Sequence, residues 1–375
     1  MDTLQSWASS LPPLREFIPP PSPDAYIVLL TIFSYFPIGT LIQWLTPFYP
    51  QGKTSLPTSR LNFPGRYAWA LMESVGACNL LYSLHNGASN FGNDGISSLP
   101  TWHKVVAGLY VLHYLNRAII TPLFIAPSMS PIHISIIISA MLFNYLNSSC
   151  LAGWLLGYGT VVLGSTAPQE PAAEAAAGLN QTHPPSFSTK YFPASYIPYI
   201  GLCLFFLGMY GNIKAEGVLF RLRREEADKT PTTKNKQNKN TNKYSKIYIL
   251  PPPTGYFRHI LFPHYVLEWL EWFGFLLIGF SITSSSSSSS SSPTTTASVI
   301  PPTPPLALAP YYAPLAKFLL EKCSLPFPLP AIAFFVNVVA TTAARASWGR
   351  AWYVERFGEE EVGGRGAFVP GCKWL

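Results

Sequence analysis

The chain has 375 residues, of which 48% are hydrophobic, 14% aromatic and only 11% charged, about half the charge of an ordinary soluble domain. Such a composition excludes a water-soluble globular protein and predicts an all-α, polytopic integral membrane protein, because apolar runs of the roughly 17 to 25 residues that a bilayer-crossing helix needs recur along the whole sequence. The formal charge of +7 does not indicate nucleic acid, since the basic residues cluster in short loops beside apolar segments, as the positive-inside rule produces.

In chain order, residues 1–24 lack the basic head, apolar core and small-residue cleavage site of a removable signal and are read as a lumenal N-terminal segment. About seven transmembrane helices follow, at Ala25–Leu45, Tyr67–Leu84, Lys104–Ile125, Ile132–Leu163, Ser195–Leu219, His259–Phe280 and Ala331–Tyr353. The fourth contains Asn144, Asn147, Ser148, Ser149 and several glycines, which predicts a kinked or broken helix whose freed backbone groups face protein or a cavity rather than lipid. Three stretches differ in composition: Ser165–Lys190 is rich in Ala and Pro, Glu225–Lys246 in Lys, Asn and Thr, and Ser284–Pro305 in Ser, Thr and Pro. None buries enough apolar surface to fold, so all three are expected to be disordered loops. They divide the chain into helices one to four (25–164), helix five (191–224), helix six (247–283) and helix seven with its tail (306–375).

Lys53, Arg60 and Arg66 follow the first span, and Arg221, Arg223 and Arg224 follow the fifth. If seven helices alternate, these groups share a side with Arg350, Arg356, Arg365 and Lys373, which makes the C-terminus cytosolic and the N-terminus lumenal. The sequon at Asn180 then falls in the lumen. Five cysteines are scattered with no CxxC pair and read as small packing residues.

An ionisable residue inside a membrane span is costly and marks function by default, with a structural ion pair as the competing explanation. Glu73 in RYAWALMESVG is the clearest case. In YVLHYLNR of span three, Tyr110, Tyr114 and Arg117 share one helical face beside His113, and a tyrosine hydroxyl near Glu73 can polarise a carbonyl. Asn212, Glu216 and Arg223 lie within a narrow arc of span five: an arginine suits a phosphate, the other two a sugar or base. Arg221 and Arg224 read as a solvated basic helix end. His264, Glu268 and Glu271 share a face at the start of span six, either pairing with the basic end of span five or lining a polar cofactor cavity. Arg345 and Tyr353 close span seven near the same interface, where an aromatic belt explains Trp348 and Trp352. No GxGxxG, GxxxxGK[ST] or GxSxG occurs, and the seven histidines form no HxxH or HxxxH box. Any redox chemistry therefore calls for an organic cofactor rather than a metal centre.

The blocks LGMYGNIKAEGVLFRLRRE, PPPTGYFRHILFPHYVLEWLEWFGF and RASWGRAWYVERF, within residues 191–375, resemble the C-terminal region of steroid 5-alpha-reductases. MES around Glu73 and HYLNR around Tyr114 are similar to that family's steroid-type N-terminal half. The resemblance implies a seven-helix fold of the endoplasmic reticulum membrane, with NADPH enclosed among the helices and a lipid-side entrance for a lipid-like enone. It matches Glu73 and Tyr114 to the catalytic pair that hydrogen-bonds the substrate's 3-keto oxygen, and Asn212, Glu216, Arg223, Glu268, Arg345 and Tyr353 to positions around NADPH. Arg117 and His264 are placed with the cofactor set; His264 stands where many relatives have asparagine, and SWGRAW replaces a histidine-rich stretch of the family. A reductase of polyprenol precursors or enoyl-CoA, and a non-catalytic membrane protein or transporter, remain as alternative readings.

Overall fold

Ser22 opens the first helix: its hydroxyl accepts a hydrogen bond from the Ala25 N–H, and Pro23 supplies a fixed φ at the first helical position. In a computed structural model, which describes residues 11–46, 52, 58–158, 194–229, 243–244, 247–289, 309–323 and 325–373, each predicted span is helical. They are α1 Pro23–Thr40, α2 Gly65–Asn86, α3 Thr101–Tyr114, α4 Ile134–Leu155, α5 Ile197–Lys229, α6 Pro263–Ser289 and α7 Leu329–Phe357. Between α1 and α2 lies β1 (Asn62–Phe63), paired antiparallel with β2 (Ile132–His133) at the foot of α4.

Five of these helices, α1 with its short continuation, α4, α5, α6 and α7, are long and apolar enough to cross a membrane. The exceptions are α2, which carries Arg66, Glu73 and Asn79, and α3, which is only 14 residues long and buries His103 and His113. On the outside, Ile32, Leu71, Ile138, Leu142, Phe206 and Leu207 are exposed, an apolar belt of the kind that lipid tails cover. The chain is a polytopic, helical integral membrane protein.

Two features depart from the sequence expectation. From Ile134 to Leu155 the fourth span is one unbroken helix; it stops short of the expected Leu163, with Gly157 at φ 88° just beyond its end and residues 159–163 outside the described residues. Its amides and hydroxyls find partners on a neighbouring helix: Asn79 Nδ2 of α2 donates to Ser148 Oγ at 2.7 Å and to Ser149 Oγ at 2.9 Å, so the backbone of α4 stays regular. The irregularity lies in the third span, where α3 passes at Tyr114 into a π-helical segment, Leu115–Ile125, containing Pro122. Proline lacks the N–H that would continue the ladder. The Arg117 carbonyl five residues back, to which Pro122 cannot donate, accepts from Trp69 Nε1 at 3.1 Å. The carbonyls at and just beyond the segment's end, of Pro122, Leu123, Ala126 and Pro127, accept from the guanidinium of Arg66 at the start of α2 at 2.7–3.2 Å.

The second departure concerns length. Helix α5 continues through Glu225–Lys229, and the α6 backbone continues to Ser289, so the first residues of two stretches expected to be disordered are helical. Glu225, Glu226 and Ala227 are good helix formers, and Arg221 pairs with Glu225 one turn on at 3.7 Å, so propagation costs little once the membrane has nucleated the helix. Apart from Lys243 and Tyr244, the rest of these stretches, with Ser165–Lys190 and Asn180, lies outside the described residues.

Helices α5 and α6 pack against each other with their backbones nearly in contact. A Cβ on Gly208 would strike the backbone of Glu271 and Leu267, and one on Gly274 the backbone of Gly201 and Phe205. Beyond α7 the tail returns to the start of α6: Leu261 and Phe262 N–H donate to Gly366 and Ala367 carbonyls at 3.0 and 2.9 Å. The buried Arg365 donates to the carbonyls of Pro251 and Phe257.

Candidate active site

Inside the bundle is a cavity of about 280 Å³, close to the lower end of small-molecule sites. Its polar wall is assembled from distant parts of the chain. Glu73 comes from α2, Tyr114 from the end of α3, Arg117 from the π-helical segment, Glu268 from α6 and Arg345 from α7. Apolar and aromatic side chains, among them Phe36, Phe143, Trp272 and Phe334, make up much of the rest of the lining.

Glu73 and Tyr114 are joined by a residue of α4. The Tyr114 hydroxyl donates to Asn144 Oδ1 at 2.9 Å, while the Asn144 amide donates to the Met72 carbonyl at 2.8 Å and reaches Glu73 Oε2 at 3.5 Å. Gly76 makes this approach possible: a Cβ there would lie 2.7 Å from the Tyr110 hydroxyl. Tyr110 stacks against Tyr114 with ring centroids 4.6 Å apart, and its hydroxyl accepts from Asn147 Nδ2 at 3.1 Å. Burial among such partners holds the phenol in one orientation.

Charged groups frame the same wall. Arg117 pairs with Glu216 of α5 at 3.1 Å and lies over the Trp69 ring at 5.0 Å. Trp69 Nε1 in turn donates to the Arg117 carbonyl at 3.1 Å. His113 Nδ1 is 2.8 Å from Glu271 Oε1, and its Nε2 is 4.0 Å from Glu268 Oε1. The second oxygen of Glu268, a residue of the cavity lining, is buried with no hydrogen-bond partner among the described residues.

The remaining expected residues do not line this cavity. Glu216 stands behind Arg117. Asn212 is buried on α5. Arg223 turns away, donating to the Ser128 carbonyl at 3.2 Å with its guanidinium over Tyr248, so the arc of three polar residues on α5 divides between two neighbourhoods. Arg224 is exposed yet donates to the Ile125 carbonyl, more than a solvated helix end. Tyr353 packs in a separate cluster with Leu261, Phe262 and Val362, and His264 packs on Tyr265 at 4.4 Å. Glu271 does not pair with the basic end of α5 but with His113. Within SWGRAW, Arg350 holds the tail, donating to the Arg365 carbonyl at 2.8 Å and to Glu359 at 2.9 Å.

Two wall residues, Asn144 and His113, were not among the expected site residues. Their signal is the one that singled out Glu73, a polar side chain within an apolar run. At Asn144 the same signal predicts a helix break, which the regular α4 does not show.

Residues 176–287 match the family described as 3-oxo-5-alpha-steroid 4-dehydrogenase. The steroid 5-alpha-reductase DET2 of Solanum lycopersicum is 23% identical over 347 residues, covering 92% of this chain and 95% of that protein. The chain belongs to the steroid 5-alpha-reductase family. A further relative, an uncharacterized protein of Schizosaccharomyces pombe, is 31% identical over 259 residues, covering 66% of this chain and 79% of its own length. As a member of this reductase family the protein is an oxidoreductase of the steroid 5-alpha-reductase type. The matched region spans α5 and most of α6, with Glu216, Arg223, Glu268 and Glu271, and stops before the SWGRAW segment of α7.

Proposed function

We propose that this protein is an NADPH-dependent reductase of conjugated ketones, reducing the 4,5 double bond of 3-oxo-4-ene steroids or lipid-like enones of similar shape. The observation that carries this reading is the meeting of Glu73 and Tyr114, through Asn144, on the wall of a cavity otherwise lined largely by aromatic and aliphatic side chains. A few convergent hydrogen-bonding groups within a largely apolar lining suit an apolar skeleton with a single keto oxygen.

The residues present fit a nicotinamide dinucleotide. Arg117 and Arg345 supply guanidiniums for phosphate, and the second oxygen of Glu268, buried without a partner among the described residues, can accept from a carboxamide or ribose hydroxyl. Asn212, Glu216, Arg223, His264 and Tyr353 are assigned to the same cofactor by the family resemblance. When bound, the reduced nicotinamide supplies the hydride that the enone β carbon receives. Negative charge then builds on the keto oxygen, where Tyr114 donates its hydroxyl proton in a hydrogen bond and Glu73, in its protonated form, donates a second. Donors fixed in a water-poor site need no reorganisation as that charge develops. Asn144 holds the phenol until the substrate oxygen takes its place, and the aromatic wall excludes water. We place the chain in the endoplasmic reticulum membrane with its C-terminus in the cytosol. Arg221, Arg224 and Arg356 at the ends of α5 and α7 support that orientation.

Tyr114→Phe and Glu73→Gln each keep the shape of the site and remove one donor or its acidity. Either is expected to lower turnover of a 3-oxo-4-ene steroid by about 10²–10³, with NADPH binding and thermal midpoint retained. Near-parental turnover in either variant, on a substrate that the parent reduces well, removes the pair from the mechanism.

A further inference from the structure

Reduction of an enone consumes one proton for every hydride, and a proton source inside a helix bundle must be built. Four carboxyl groups crowd the cavity region: Glu73 and Glu268 on its wall, Glu216 against Arg117, and Glu271 behind His113. Among the described residues lining the cavity, the permanently charged cations are the guanidiniums of Arg117 and Arg345. With every carboxyl ionised, two negative charges would be left uncompensated in an apolar bundle, so a charge-neutral site carries two further protons.

His113 is placed to carry one of them. Its Nδ1 is hydrogen-bonded to Glu271 at 2.8 Å, and its Nε2 lies 4.0 Å from Glu268, an ion-pair distance without a hydrogen bond; a doubly protonated imidazole is attracted to both carboxyl groups. Glu271 is fully buried, and its second oxygen has no hydrogen-bond partner among the described residues, so a positive charge on His113 is what stabilises it as a carboxylate. The groups facing His113 are Glu268 and Glu271 from α6, Glu73 from α2, and Tyr114 with Arg117 from its own segment, with Glu216 of α5 behind Arg117 and Arg345 of α7 across the cavity. The ring packs on Trp272 at 4.4 Å and lies on the cavity wall beside Tyr114.

We propose that the His113–Glu271 pair is the proton-loading site of the cavity, and that the His113 imidazolium supplies the proton taken up at the substrate's α carbon. The carbon–carbon π bond breaks, the β carbon gains a hydride from a reduced nicotinamide, which is oxidised, and the α carbon gains the proton. After the product leaves, the neutral imidazole is recharged by a proton from bulk solvent, relayed through water that enters the emptied cavity. Glu271 positions the ring and holds its charge; Glu268 is the second carboxyl it faces. The identity of the acceptor rests on the reductase reading, whereas the stored proton rests on the geometry of the pair.

Nitrogen-15 NMR of histidine-labelled full-length protein in nanodiscs tests the stored proton without any substrate. A doubly protonated ring at pH 7 is expected, its resonance absent in His113→Gln and replaced by a singly protonated ring in Glu271→Gln. A singly protonated His113 in the parent, or no change in Glu271→Gln, overturns the proposal. In a second arm, His113→Ala should lose about 10²-fold in kcat, with KM for the enone little changed, and regain turnover when imidazole is added. A purely structural role predicts loss that imidazole does not restore, which also overturns it. Should the parent reduce no enone at all, the reductase reading falls, and the NMR arm alone decides whether the pair stores a proton.

Discussion

Two helix seams hold this bundle together in opposite ways. Helices α5 and α6 touch through bare backbone at Gly201, Gly208 and Gly274, a dry contact in which dispersion and close fit do all the holding. Helices α2 and α4 touch through side-chain amides and hydroxyls, with Asn79 bonded to Ser148 and Ser149 and Asn144 to the Met72 carbonyl. The first seam tolerates no added atom, because what it would meet is main chain. The second trades tightness for direction, since each hydrogen bond fixes an orientation, and its last member, Asn144, is the one that meets Glu73 and Tyr114. The glycine seam serves as frame and the amide seam aims the site.

The sharpest way to break this contrast is to overfill the frame. Gly208→Leu or Gly274→Leu should cost more than the roughly 1–3 kcal/mol of ordinary overpacking, because backbone on the facing helix cannot turn aside. The expected result is loss of the monodisperse peak in detergent size-exclusion chromatography. A well-folded Gly208→Leu protein would show that the helices can part there.

Substitutions on the amide seam should separate stability from turnover. Asn79→Ala removes a donor to two hydroxyls and should cost about 0.6–1.7 kcal/mol, the scale of hydrogen bonds between membrane helices, with turnover per folded molecule unchanged. Asn144→Ala should cost a similar amount but also slow the reductase, because the Tyr114 hydroxyl loses its anchor. Equal turnover in the two variants would mean that Asn144 only packs.

The smallest effect lies outside the membrane, where Glu359 accepts from Arg350 at 2.9 Å and pairs with Lys373 at 3.2 Å. Partial burial acts to raise its pKa, but hydrogen bonds from Lys373 and Arg350 outweigh it and hold the carboxyl below its usual value. A depressed carboxyl stabilises the fold above its unfolded pKa, and that contribution is lost as pH falls through the folded value. The thermal midpoint should therefore drop slightly more on acidification in the parent than in Glu359→Gln, a small difference because the group is half exposed.

The helices were legible because apolar runs of spanning length leave the backbone no other way to satisfy its hydrogen bonds in lipid. Glu73 and Glu268 were legible because a carboxyl in such a run needs a reason. What the sequence could not convey is which neighbour a polar side chain meets. Asn144 through Ser149 resemble a helix break in one dimension; only the presence of Asn79 on α2 turns them into a seam. The π-helical turn at Leu115–Ile125 was invisible for the converse reason, since the guanidinium that makes it tolerable belongs to Arg66, some fifty residues earlier. Composition marked Glu225–Lys229 as loop because it counts polarity, whereas a helix already started needs only residues that do not stop it.

The grip of Arg66 on the end of the π-helical segment gives α2 and the third span a strut at one end, and the Asn144 bridge gives them another further along. Trp69, bonded to the Arg117 carbonyl, is a third tie between them. Two rods pinned at several points behave as a truss: neither can slide or roll without the other. The spacing between the Glu73 carboxyl and the Tyr114 phenol is therefore gauged by parts that never touch a substrate. Deleting a single residue between Leu115 and Ile125 would tighten that turn, draw the pinned end inward and detune the gauge while leaving every wall residue in the sequence.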